Sequence, residues 1–280
     1  MSSVLFLIHP ARPAARELAA QARVWWEAQG YDVVDTPADP VPPEVAYDFA
    51  VSFGGDGTML RTLQAALERQ TPVIGINLGR MGYLAEVEPA GMQAAFESLV
   101  AGNFKVEERM ALAVAIHRAA DGTDIVDDSG GTRFMALNEA IIERSAPGHT
   151  IRVAVDVAGR RFLTYVADGL LVCTPTGSTA YNLSARGPVV SPSLRALVLT
   201  PVAPHLVFDR SLVLGPEEAV TLTLLEGPSA SLVLDGSRIV PLDEGDVVVC
   251  AAADVAARFV TFGDRDSHAV LRSRFSLSDR

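Results

Sequence analysis

The sequence predicts two architectures in succession: an α/β, Rossmann-like N-terminal domain and an antiparallel β-sandwich, with a C-terminal helix packing back on the first domain. Three observations predict this. Over the first hundred residues short apolar runs alternate with stretches of helical spacing. From about residue 104 β-rich runs follow one another with only turn residues between them. The last fifteen residues return to helical spacing. The expected division is an α/β domain over 1–102, completed by about 262–280, and a β-sandwich over 103–261.

In order, VLFLIH (4–9) reads as a strand, and the Ala-, Leu- and Trp-rich stretch to Gln29 as a helix ended by Gly30. YDVVD (31–35) is the next strand, and the proline-rich segment TPADPVPPEV (36–45) a loop. FAVSFGG is a strand running into glycine. After it Thr58–Arg69 sets Met59, Leu60, Leu63 and Leu67 on one helical face. PVIGIN (72–77) is a strand leading into LGRMGYLAEVEP, and Pro89 opens a helix that Gly102 ends. Eight β-rich runs follow, from MALAVAIHR to ASLVLDGS, interrupted by TGSTAYNLSARG, which reads as a turn opening a short helix.

Composition narrows the function classes. The chain has 280 residues, is 49% hydrophobic and 20% charged, and buries a core. Its apolar runs reach about ten residues, half of a bilayer span. MSSVLFLIHPARP has no basic lead or small-residue cleavage site and reads as a first strand, which makes the cytoplasm the default location. With 23 basic against 34 acidic residues the net charge of −11 disfavours nucleic acid and anionic membranes as partners. Cys173 and Cys250 lie in apolar stretches and read as buried thiols, and the five histidines show no metal-ligand spacing. Lys105 is the single lysine, in FKVEER, so neither a Walker A loop nor a protein-kinase strand lysine is present.

Three stretches carry chemistry. Gly54-Gly55-Asp56-Gly57-Thr58 joins a buried strand to a helix, where glycines bring backbone N–H groups close to an anion and the helix terminus favours phosphate. Asp56 suits a base taking a proton from an attacking hydroxyl; its alternative is a helix cap. Asn138-Glu139 sits inside FMALNEAII, where adjacent strand residues face opposite ways. One of them enters a core or a cleft, unless the pair lies on an exposed edge. ADGLLVCTPTGSTAYNLS (167–184) gathers hydroxyls and small side chains around Gly177. It suits a sugar and a base edge, or alternatively a serine-rich turn capping a helix. Neither a G-x-S-x-G elbow nor a Rossmann G-x-G-x-x-G occurs.

In this order, GGDGT, Asn-Glu and DG…TPTGSTAY…S resemble the NAD kinase family, and LTPVAPH (199–205) and the later DGS fit the same layout. GGDGT alone is shared with diacylglycerol and sphingosine kinases and phosphofructokinases; its combination with TPTGSTAY is specific. The resemblance implies an ATP:NAD 2′-phosphotransferase with Mg²⁺ or another divalent cation accompanying ATP, and makes 103–261 the dinucleotide-binding domain. It implies a phosphate loop of Gly54, Gly55, Gly57 and Thr58, and Asp56 as general base on the 2′-hydroxyl with Gly57 against the same ribose. Arg61 would help with phosphate charge, or is a solvated helix arginine. Asn138 and Glu139 look like dinucleotide contacts, as does His149, whose alternative is an exposed turn residue. Asp168 resembles the residue at the nicotinamide half. Thr179, Ala180, Tyr181, Asn182, Leu183 and Ser184 resemble those at the adenine end, and Arg238 is a further contact. Implied partners are NAD and ATP, with a homodimer or homotetramer expected from the apolar strands.

Two positions depart from the family pattern. Val166 stands where a basic residue or glycine is frequent, which leaves NAD against NADH preference open. IHPARP replaces the more usual Asn-Pro on the donor side. Polyphosphate as donor, a lipid kinase sharing GGDGT, and a non-catalytic NAD-binding sensor are the alternatives.

Overall fold

The structure, a computed structural model, describes residues 2–35, 46–79, 82–125, 133–205, 207–226, 230–263 and 267–274. The expected loop over 36–45 and the last six residues lie outside them. The chain forms two compact units, 1–109 with 255–280, and 110–254.

In the first unit β1 (Ser3–Ile8), α1 (Pro13–Ala28), β2 (Asp32–Asp35), β3 (Phe49–Gly54), α2 (Asp56–Leu67), β4 (Val73–Asn77) and α3 (Met92–Val100) follow one another. The strands pair in parallel in the order β2-β1-β3-β4, with Phe259 of the last long strand beside Val73. Buried on both faces, β3 and β4 read as the continuous apolar runs expected of parallel strands. Helix α1 starts on a proline whose missing N–H costs nothing in a first turn. Its face toward the sheet is Ala15, Ala19, Ala22 and Trp26. The alanines let the helix approach closely, and the fully buried Trp26 fills the wider end against Trp25, Tyr31, Phe49 and Phe96. The C-terminal helix, Ser267–Arg274, is part of this unit's chain.

The second unit is almost entirely strand: β5 (Lys105–His117), which enters it, then β6 (Phe134–Ala136), β7 (Glu139–Arg144), β8 (Ile151–Val157), β9 (Arg160–Ala167) and β10 (Gly169–Cys173). After the one-turn α4 (Tyr181–Ser184) come β11 (Leu197–Val202), β12 (Leu212–Leu214), β13 (Val220–Glu226), β14 (Ala230–Leu234), β15 (Ser237–Leu242) and β16 (Val247–Thr261), which leaves it. One sheet is antiparallel in the order β12-β11-β10-β7-β14-β15, and β16, β13, β8 and β9 pair antiparallel in another. Alternate residues of each fill one core: Leu112, Val114 and Ile116; Val153 and Val155; Leu170 and Val172; Leu222 and Leu224; Leu232 and Leu234. The opposite face of β7 and β10 is also buried, with Ile141, Leu171 and Cys173 under Ala185 and Val190 of the segment that follows β10. That second cover is why GLLVC carries no polar alternation. Both cysteines are free and buried, and burial holds their thiols well above the usual range. No helix among the described residues is long and apolar enough to cross a membrane.

Candidate functional site

In the first unit the glycine loop closes β3 onto α2. Gly55 is the cap residue and Asp56 the first residue of the helix, so the carboxylate is not the cap its position suggested. It turns instead to another segment. Asp56 Oδ2 accepts the Tyr83 N–H at 2.9 Å, and Oδ1 accepts the Leu84 N–H at 3.0 Å. The approach is tight, for a methyl group on Gly82 would stand 2.0 Å from Oδ1. The end of β4 is also tied to the glycine loop: the Leu78 N–H donates to Gly54 O at 2.8 Å, and Arg12 Nη1 donates to Leu78 O at 2.5 Å. Thr58 lies against Gly54, where a Cβ would meet Thr58 Oγ1 at 2.2 Å.

Beside the loop is a cavity of about 620 Å³. Ile8, His9 and Pro10 at the end of β1, Arg16 and Arg23 of α1, and Thr58 and Arg61 of α2 line it. Strand ends and helix N-termini meet here, as expected of an open parallel α/β sheet, and the lining holds three guanidinium groups and the Asp35 carboxylate, which Arg23 meets at 2.7 Å. Arg61 therefore has cationic company that the sequence reading of a single helix did not reveal. Arg16 and Arg23 lie outside every motif the sequence offers, and of the α1 region only Arg12 falls within IHPARP, which runs out of the end of β1.

In the second unit Asn138-Glu139 lies where the chain passes from β6 to β7. The Thr174 hydroxyl donates to Leu137 O at 2.5 Å, and the Thr174 N–H donates to Asn138 O at 2.9 Å. The Gly177 N–H closes back on Thr174 Oγ1 at 3.1 Å. A Cβ on Gly177 would meet Asn138 O at 2.0 Å, so TPTG is glycine at that position to lie against the Asn-Glu backbone. Glu139 is 5% exposed, with Oε2 making no hydrogen bond. Burial first, and then the Asp235 carboxylate, push its pKa up to about 7, against a lowering by the Tyr181 N–H.

Asp168 follows β9, and Arg144 grips it with Nε 3.0 Å from Oδ1 and Nη2 3.2 Å from Oδ2. Tyr181 is partly exposed; burial and the carboxylates of Glu143, Asp168 and Glu139 raise its phenol. Asn182 is wholly buried: its Nδ2 donates to Ser178 O at 3.1 Å and Pro188 O at 2.9 Å, and its Oδ1 accepts from Thr200 Oγ1 at 2.7 Å. Its side chain thus holds the 178–188 segment together. Thr179, Ala180 and Leu183 are half-buried, and Ser184 and His149 exposed. The Arg238 backbone lies in β15 opposite Val233, but its side chain is outside the described residues. Among the described residues no group of three acidic, His or Cys side chains is arranged to hold a metal ion.

The family model for the ATP-NAD kinase N-terminal domain matches residues 41–104, and that for the ATP-NAD kinase C-terminal domain matches 137–262. The fold and its two matched domains define a phosphotransferase. An NAD kinase of Heliobacterium modesticaldum is 36% identical over 98% of both chains. One of Wolinella succinogenes is 35% identical over 100% of this chain and 97% of its own. The chain belongs to the NAD kinase family. Its fold is similar to that of yeast NADH kinase complexed with NADH, with a TM-score of 0.90 at 21% identity over 100% of this chain and 89% of that one. An NAD kinase from Archaeoglobus fulgidus in complex with ATP superposes with a TM-score of 0.73 at 27% identity, over 98% and 97% of the two chains.

Proposed function

We propose that this protein transfers the terminal phosphoryl group of Mg-ATP to the 2′-hydroxyl of the adenosine ribose of NAD, giving NADP and ADP. The observation that carries the reading is Asp56, held by two backbone N–H groups beside a cavity lined with arginines. Asp56 takes the proton as O2′ bonds to the γ-phosphorus, and the bond from that phosphorus to the bridging oxygen breaks to release ADP. The N–H groups of the glycine loop, with Arg61, meet the transferring phosphate charge, and the divalent cation arrives with the triphosphate. Fixed donors and a fixed carboxylate act by position, so no covalent phosphoenzyme is required.

The second unit supplies the dinucleotide contacts in this reading. Asn138 and Glu139 engage the ribose, and Asp168, aimed by Arg144, engages the nicotinamide half. The Thr179–Ser184 segment takes the adenine end, through its backbone and Tyr181 rather than through the internally bonded Asn182 amide. His149 and Arg238 are outer contacts. The protein acts in the cytoplasm as a homodimer or homotetramer. Exposed apolar side chains of the second unit, Phe162 against Phe208 and also Val207 and Val213, support assembly through it.

The test is a coupled assay of NADP formation with purified protein, NAD and Mg-ATP. Activity that falls about 10²–10⁴-fold in Asp56→Asn, with NAD binding by calorimetry unchanged, supports both the reaction and the base. An Asp56→Asn variant of near-normal rate refutes the base. Absence of NADP with NAD still bound refutes ATP as donor, and polyphosphate is then the donor to assay.

A further inference from the structure

The chain crosses from β6 to β7 at residues 137–139, and the main-chain N–H groups there are taken up by a side chain rather than by a strand carbonyl. All three converge on one side chain. Asp235 Oδ2 accepts the Leu137 N–H at 2.8 Å, and its Oδ1 accepts those of Asn138 at 2.7 Å and Glu139 at 3.1 Å. The Asp235 N–H returns a bond to Glu139 O at 3.0 Å, so the contact is closed in both directions. Asp235 reaches this place from the β14–β15 turn with φ of +48°, a left-handed backbone that few side chains adopt without cost. Thr174 holds the carbonyls of Leu137 and Asn138 from the other side. A carboxylate suits the position because it offers acceptors only, whereas an amide would turn an N–H₂ group on an N–H.

We propose that Asp235 is a positioning residue, whose carboxylate fixes the 137–139 backbone and thereby presents Asn138 and Glu139 to the dinucleotide. The proposal rests on the reading of those two residues as dinucleotide contacts.

Asp235 also acts through charge. Glu139 faces the Asp235 carboxylate from the β14–β15 turn, the Tyr181 N–H and phenol from α4, and the Cys173 thiol across the strand pair with β10. After burial, which is the larger cause, the Asp235 carboxylate opposes loss of the Glu139 proton. A protonated Glu139 can donate to a ribose oxygen, and an ionised one can only accept. Removing the charge at 235 therefore lets Glu139 ionise at lower pH.

The test compares NAD binding by calorimetry between pH 5.5 and 8.5 for the full chain and its Asp235→Asn variant. The expected result is at least tenfold weaker binding, with the inflection in affinity moved to lower pH, and with that inflection absent in Glu139→Gln. A scaffold role alone lowers thermal stability without moving the inflection. A folded Asp235→Asn variant with unchanged affinity and inflection overturns the proposal. Asn138→Ala separates the two readings. If it leaves NAD affinity unchanged, the dinucleotide reading falls and takes this proposal with it. If it weakens NAD while Asp235→Asn does not, the Asp235 proposal alone falls. Should Asp235→Asn fail to fold, hydrogen exchange of the native chain decides: the amides of 137–139 slow further on adding NAD if the proposal holds, and unchanged exchange overturns it.

Discussion

Replacing Gly82 by alanine tests whether the location of Asp56, and not merely its presence, sets the rate. The φ of Gly82 lies outside the left-handed region, so the change strains no backbone and acts only through contact. The new methyl would stand 2.0 Å from Asp56 Oδ1, and the carboxylate is the movable partner. Restoring even a 3.0 Å separation requires a displacement of about 1 Å, a misplacement that costs about 10² in rate when it affects a reacting group. It also breaks or lengthens the bonds from Tyr83 and Leu84 that aim the carboxylate. The expected loss in kcat is thus about 10²–10⁴, equivalent to about 3–5 kcal/mol in the barrier. The assay is NADP formation at saturating NAD and Mg-ATP, with NAD binding by calorimetry and thermal unfolding measured alongside. Gly82→Ala should match Asp56→Asn in rate while keeping its NAD affinity. A folded Gly82→Ala protein with kcat within twofold of the parent would refute the argument that this turn positions the base.

Three further outcomes follow from the second unit. In Gly177→Ala the methyl would sit 2.0 Å from a backbone oxygen, which cannot swing aside as a side chain can. A destabilisation of about 1–3 kcal/mol and a lowered melting temperature are expected, and an unchanged melting temperature would count against the packing of TPTG on the Asn-Glu step. Glu139 keeps its proton to about pH 7 when folded, above its unfolded value of 4.5, so burial costs nothing while both states are protonated. Stability falls as pH rises through that window and levels off above it. Glu139→Gln should therefore gain stability over the parent by up to about 3 kcal/mol at pH 8, and by little at pH 4.5. Chemical denaturation at both pH values checks this, and an equal difference at the two contradicts it. Arg144→Ala frees the Asp168 carboxylate from its two-pronged partner. It should raise KM for NAD several-fold with little change in kcat, and steady-state kinetics showing the reverse would remove Asp168 from the binding role.

Local information made much of this protein legible. Alternating apolar runs and helical faces are properties of neighbouring residues, so the α/β unit, the strand-rich unit and the terminal helix could be read from spacing alone. GGDGT and TPTGSTAY are contiguous, and contiguous segments disclose which chemistry they suit. Residues whose partners lie far along the chain stayed hidden. Asp235 looked like one member of a DGS turn, yet it binds amides 96 to 98 residues away. Gly82 showed no sign of standing against Asp56, and Arg144 none of gripping Asp168. The sequence shows hydroxyls gathered around Gly177, and the structure places the Asn138 carbonyl against that glycine. Asn182 sits in the motif but directs its amide into the fold. The sequence by itself thus determined the elements, their order and the family, because those depend on periodicity and on unbroken motifs. Only the tertiary structure decided which groups aim Asp56, Asp168 and the Asn138-Glu139 step, because a hydrogen bond depends on distance in space, which separation along the chain does not encode.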